Sequence, residues 1–135
     1  MNELLVFLTE NCNFLFQDYG FRIIRTDNLN SPGGNAQMLL EGETMLIKIT
    51  KEQGKVFLEI QKLNENNKYR WFSIDLFQEL LLGNKDTNSI MNQNNISFLR
   101  TNFNRIIELF NEKNVSNTIS LLDKLAIQRS KRIFS

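Results

Sequence analysis

The sequence predicts an α+β domain: an N-terminal helix, an antiparallel β-meander of four to five strands, and three C-terminal helices packed on one sheet face. Apolar residues alternate in the middle of the chain, as in half-buried strands, and recur at helical spacing near both ends. The chain has 135 residues, 41% of them apolar, which suits one hydrophobic core and leaves little room for two. We therefore expect a single domain over residues 1–135.

Residues 2–18 are predicted to form the first helix. Its apolar residues share one stripe at helical spacing, namely Leu4, Leu5, Leu8, Cys12, Leu15 and Tyr19. Gly20 suits the helix end because it adopts a left-handed conformation without a Cβ clash. Phe7 and Phe14 lie off the stripe on a second face, which indicates a deeply buried helix or an interface.

Residues 21–27 predict a strand from their β-branched content, and the loop that follows carries Pro32-Gly33-Gly34. Three alternating segments come next and define the buried sheet face. The residues of that face are Ala36, Met38, Leu40, Met45, Ile47, Ile49, Val56, Leu58 and Ile60.

Short turns fix the pairing of these strands. A two-residue turn at Gly42-Glu43 places Leu40 opposite Met45 and Leu39 opposite Leu46.

The next loop, residues 52–55, places Lys48 opposite Glu59, a favourable cross-strand pair on the outward face. That face is predicted to be mostly solvated, with Leu39, Leu46 and Phe57 as its apolar members and candidate partner contacts.

Residues 69–72 predict a last strand. Ser73 then suits a helix N-cap, and Gly83 suits the end of that helix. The aromatic cluster of Tyr69, Trp71 and Phe72 is interpreted as the edge of the core, with a binding hot spot as the alternative.

Two further helices are predicted after an Asn-rich loop at residues 84–95, with a break at residues 114–116. The apolar stripe of the first holds Ile96, Leu99, Phe103, Ile106, Ile107 and Phe110, and that of the second Ile119, Leu122, Leu125 and Ala126.

The composition argues against most catalytic chemistry. The chain has no histidine and one cysteine, Cys12, which excludes His-based nucleophile pairs, His-ligated metals and cysteine clusters. Asp75 and Glu79 lie four apart on one predicted helix, but the helix dipole already accounts for Asp75. We expect no enzyme, no metal and no cofactor.

The loop at residues 31–35 is rich in glycine but joins two strands, and no Gly-Lys-Ser/Thr follows it. Phosphate-cradling loops run from a strand into a helix. A plain connection or a recognition loop is therefore the better interpretation.

Basic side chains concentrate at the C-terminal end. The net charge is +1, yet residues 100–135 carry seven basic and three acidic side chains. Arg129, Lys131 and Arg132 are candidate contacts for a partner, although basic residues also suit a helix C-terminus. Residues 129–132 alone are too few to indicate nucleic-acid binding, so a regulatory or nucleic-acid-associated role is an alternative rather than the leading hypothesis.

The N-terminal apolar run has Glu3 before it and no small-residue cleavage site, so we do not expect a signal peptide. No stretch is long enough to span a membrane. We expect a cytoplasmic protein without a membrane partner.

The chain also resembles the small bacterial immunity-type proteins that neutralise a partner toxin, in size, α+β make-up and segments such as RWFSIDLFQELLLG. The resemblance implies a non-catalytic complex that blocks the toxin. The leading hypothesis is thus a protein-binding module whose partner is a toxin, another protein or a second copy of the chain. A small enzyme without histidine chemistry is the remaining alternative.

Overall fold

The computed structural model describes residues 3–29, 34–63, 70–85 and 88–134, and over them the predicted α+β fold class is confirmed. The helices are α1 (Glu3–Asn11), α2 (Phe14–Gln17), α3 (Ile74–Leu82), α4 (Gln93–Leu109) and α5 (Val115–Phe134). The strands are β1 (Arg22–Asp27), β2 (Ala36–Glu41), β3 (Met45–Glu52), β4 (Lys55–Lys62) and β5 (Phe72–Ser73). They form one antiparallel sheet in the order β1-β2-β3-β4-β5.

The predicted N-terminal helix is divided into two pieces. α1 ends at Asn11, and the backbone N–H of Leu15 donates to the carbonyl of Cys12 at 3.0 Å, a tighter turn than an α-helix makes. The Asn11 side chain donates to the Phe7 carbonyl at 3.2 Å. Asparagine competes with the helix backbone in this way and weakens a helix interior. Leu4, Leu8, Cys12 and Leu15 of the stripe are nevertheless buried on both sides of the break, whereas Leu5 is 38% exposed.

The register predicted for the first hairpin of the meander is wrong by two residues. Leu40 lies opposite Ile47 rather than Met45. The backbone N–H of Gly42 donates to the Met45 carbonyl at 2.9 Å, so the turn is at residues 43–44. Moving the turn by one residue shifts each partner by two, and side chains keep their face because the pleat repeats every two residues. Leu39 accordingly faces Lys48 and not Leu46.

The register predicted for the second hairpin is confirmed, with Lys48 opposite Glu59. Its turn residues, Gln53 and Gly54, both have positive φ, 52° and 78°. This turn geometry matches the right-handed twist of the strands it joins.

The core is one cluster between the inward face of the sheet and the helices. All the predicted inward strand residues are buried except Val56, which is half-buried. Phe103 of α4 is fully buried, and its ring lies 5.8 Å from that of Phe14, 4.6 Å from that of Tyr19 and 5.7 Å from that of Phe21. These edge-on contacts add to the burial of the rings and hold α2 against α4.

β1 lies at the edge of the sheet and is exposed along nearly its whole length. Ile23 pairs with Leu40 and Arg25 with Leu39, so Ile24 is an extra residue with no partner on β2. This β-bulge twists the edge away from a regular ladder.

The helix ends near the sheet follow the sequence signals. α3 begins after Ser73, and Gly83 ends it with a φ of 71°. The last strand is shorter than predicted, and Tyr69 lies outside the described residues, as do Pro32 and Gly33 of the predicted loop. Among the described helices, none combines the length and the apolar character needed to cross a membrane.

Candidate functional site

A cleft of about 820 Å³ opens on the outward, polar face of the sheet. Outward side chains of β2, β3 and β4 form its floor, and the start of α3 and the last turns of α5 form one wall. Lys85, Asn88 and Ser89 line a further side. The lining residues are Gln37, Lys48, Thr50, Glu52, Phe57, Glu59, Trp71, Ser73, Asp75, Glu79, Lys85, Asn88, Ser89, Arg129 and Arg132. The floor is polar because these strand positions alternate with the buried ones.

On the floor, three side chains form a connected group. The Lys48 ammonium lies 3.5 Å from a Glu59 carboxylate oxygen and 4.5 Å from the centre of the Trp71 ring. A cation over an indole face is attracted by the ring quadrupole. The side chain of Lys48 is 21% exposed and that of Glu59 is 32% exposed, so a molecule in the cleft can contact both.

The wall contains an ion pair between α3 and α5. Arg129 Nη1 donates to Asp75 Oδ2 at 2.5 Å and to Ser73 Oγ at 2.8 Å. The Ser73 hydroxyl donates in turn to Asp75 Oδ1. The Asp75 side chain is 6% exposed and that of Arg129 is 33% exposed. The carboxylate therefore lies inside the wall and the guanidinium lies nearer to solvent.

A second ion pair repeats this arrangement one turn further along both helices. Arg132 donates through Nη1 and Nη2 to the two Glu79 oxygens, each at 3.4 Å. Glu79 is 5% exposed and Arg132 is 40% exposed. The spacings of four residues on α3 and three on α5 bring both pairs to the same side of the helix contact.

Asn88, on this further side, takes part in a buried amide network that the sequence did not reveal. Gln78 of α3 donates to Asn95 Oδ1, and Asn95 Nδ2 donates to the carbonyls of Asn88 and Ile90, each at 2.7 Å. Both side chains are buried. Since an unpaired buried amide is costly, this network holds Asn88 and Ile90 in one position beside β4.

Asp75 and Glu79, the carboxylates noted in the sequence, both lie in the wall of the cleft. Each forms an ion pair with an arginine of α5, Asp75 with Arg129 and Glu79 with Arg132. Across the described ranges, no group of three or more potential metal ligands occurs.

The apolar residues predicted to contact a partner differ in how much of their surface is exposed. Phe57 is half-buried and lines the cleft. Leu39 is half-buried on the same sheet face, whereas Leu46 is only 5% exposed and offers almost no surface to a partner. Phe7 and Phe14 are both half-buried and pack against the core. Each keeps part of its surface exposed, so a partner contact at these two residues stays a prediction.

The basic residues of α4 and α5 differ in their relation to the cleft. Arg129 and Arg132 line the cleft, while Lys131 is exposed and outside its lining. On α4, Arg100 donates to the Asn11 carbonyl at 3.2 Å and Arg105 to the Leu81 carbonyl at 3.4 Å. These two arginines thus serve contacts between elements outside the cleft.

The sequence predicted that Trp71 and Phe72 both lie at the edge of the core. In the structure only Phe72 lies in the core. Phe72 is 1% exposed and pairs with Ile60 on the buried face. Trp71 precedes it and therefore points to the other face, where it lines the cleft. Alternation along β5 was the signal that could have separated the two residues.

Comparison with protein-family models, curated proteins and solved structures finds no match to this chain.

Proposed function

We propose that this chain is a non-catalytic protein-binding module whose partner occupies the cleft on the outward sheet face. The observation that carries the proposal is that six of the eight ionic side chains of the cleft are held in three ion pairs. Side chains fixed before binding lose little freedom when a partner arrives, which favours affinity. The same pairing engages the buried carboxylates of Asp75 and Glu79 in the contact between α3 and α5.

The composition of the cleft supports a protein partner. Tryptophan and arginine are the side chains most enriched among residues that dominate binding energy, and this cleft contains Trp71, Arg129 and Arg132. A volume of about 820 Å³ falls within the range of ligand sites, but those are mainly apolar. A lining of charged and polar side chains fits a protein segment better than a small apolar molecule.

The finer form of the proposal is that the partner is a toxin and the chain is its bacterial immunity protein. It is supported by the resemblance in size, α+β make-up and the segment that contains Trp71 and α3. We also propose a cytoplasmic location, because the free and fully buried Cys12 suits a reducing compartment.

The test is affinity purification of the tagged chain from its native cells, with Trp71→Ala and Ile127→Ala compared with the unmodified protein. Ile127 is 52% exposed on α5 and does not line the cleft, so it is the matched control. We expect one stoichiometric protein partner that survives high salt, is lost with Trp71→Ala and is kept with Ile127→Ala.

A captured partner that arrests growth when expressed alone, and not when expressed with this chain, would support the immunity role. Recovery of nucleic acid that dissociates as salt rises would contradict the proposal. Recovery of a symmetric dimer of this chain and nothing else would also contradict it.

A further inference from the structure

We infer that the wall of the cleft built by α3 and α5 binds a carboxylate side chain of the protein partner through Arg129 and Arg132. The inference rests on the proposed function, since it states which chemistry that partner brings to the cleft. It assigns the two ion pairs a recognition role in addition to their role in joining the helices.

The order of burial in the wall supports this role. The carboxylates of Asp75 and Glu79 are 6% and 5% exposed, whereas the side chains of Arg129 and Arg132 are 33% and 40% exposed. A group entering the cleft therefore meets the guanidiniums first. The buried carboxylates act from behind as positioning residues that hold the planar groups in place.

The guanidiniums also keep hydrogen-bonding capacity. Both described side-chain bonds of Arg129 use Nη1, although a guanidinium has five N–H donors. The two contacts from Arg132 to Glu79 are 3.4 Å long, compared with about 2.7–2.9 Å for a strong charge-assisted bond. A planar carboxylate from a partner matches the fork of donors that remains.

The charge balance of the cleft favours a single carboxylate over a polyanion. Four basic residues line it, Lys48, Lys85, Arg129 and Arg132, and four acidic residues line it, Glu52, Glu59, Asp75 and Glu79. A nucleic-acid strand would bring successive phosphates towards Glu52 and Glu59, where like charges repel. One acidic side chain in a mixed protein segment avoids that repulsion.

The test uses the full chain and the fluorescence of Trp71, which is the only tryptophan and lines the cleft. The probes are blocked peptides of alternating glycine with glutamate, glutamine or lysine, and a short oligothymidine. We expect saturable binding of the glutamate peptide and binding of the glutamine peptide weaker by about tenfold, the effect of losing one charge-assisted hydrogen bond.

The paired variant Asp75→Asn/Arg129→Gln removes one guanidinium without leaving a buried charge behind, and it should weaken glutamate-peptide binding by a similar factor. Arg132→Gln, whose bonds are longer and more exposed, is the second variant if circular dichroism shows the first to be unfolded. Lys124→Gln, an exposed change on α5 outside the cleft, should leave binding unchanged.

Equal binding of the glutamine peptide, tighter binding of the lysine peptide or of oligothymidine, or no saturable change would overturn the inference. If the peptides fail while a Trp71-dependent protein complex is still captured, this inference fails alone. If the glutamate peptide binds as expected and no protein partner exists, the carboxylate site stands and the proposed function fails.

Discussion

Replacing Arg129 with glutamine should lower the free energy of unfolding by about 2–3 kcal/mol. The change leaves the Asp75 carboxylate, which is 6% exposed, without its cation, although the Ser73 hydroxyl still donates to it. Breaking a fully buried ion pair costs about 3–5 kcal/mol, and breaking a surface pair costs about 0–1 kcal/mol. Because Arg129 is one-third exposed, water replaces part of its contribution, and the expected cost falls between these limits.

The double variant Asp75→Asn/Arg129→Gln should cost less than the single change, about 1 kcal/mol or less, because no buried charge is left unpaired. Urea unfolding followed by circular dichroism and Trp71 fluorescence measures both values, since a chain of this size commonly unfolds in one transition. The control is Arg22→Gln. Arg22 is bound to Glu41 at 2.6 Å but is 74% exposed, and its loss should cost at most about 1 kcal/mol.

A cost for Arg129→Gln no larger than that of Arg22→Gln would show that the pair is effectively a surface contact. A double variant less stable than the single variant would show that Asp75 needs its charge for another reason. Either result would refute the account of the wall as a buried pair with an exposed cation.

Two further predictions concern the backbone and the core. Burial raises the pKa of the Cys12 thiol from 9.0 to about 12. Its contribution to the free energy of unfolding is therefore complete below pH 9.0. As the pH rises from there towards 12, the free energy of unfolding falls by about 1.4 kcal/mol per pH unit. Comparing the pH profile of urea unfolding with that of Cys12→Ala isolates this loss, and parallel profiles above pH 9.0 would disprove it. Gln53→Asn should raise stability by up to about 1 kcal/mol, because the φ of 52° suits asparagine better than glutamine; an unchanged unfolding midpoint would count against this reading of the turn.

The fold was predictable from the sequence where local rules determine it. Alternation assigned the strand faces, and it did so even in the hairpin whose turn was placed one residue too early, because Leu40 stays on the buried face opposite either Met45 or Ile47. The pair of Lys48 and Glu59 followed from the length of the next loop. The break after Asn11 was missed because the apolar stripe continues through it and only the asparagine side chains oppose the helix.

Local sequence rules could not predict the ion pairs in the wall of the cleft. Asp75 and Arg129 are 54 residues apart, and their contact depends on how α5 packs across α3, which no spacing within either helix reveals. Sequence reasoning treated each residue as a complement to its own helix dipole. The structure shows that both residues use their charge across the helix contact, and that Trp71 lies on the face opposite Phe72.

The bulge in β1 has a consequence for the behaviour of the protein at high concentration. An exposed edge strand is a template on which further chains add in register, as in amyloid growth. Here the extra residue, Ile24, interrupts the ladder along the exposed strand. We expect that deleting Ile24 would restore a regular ladder along this edge and make the protein more prone to add chains in register at high concentration.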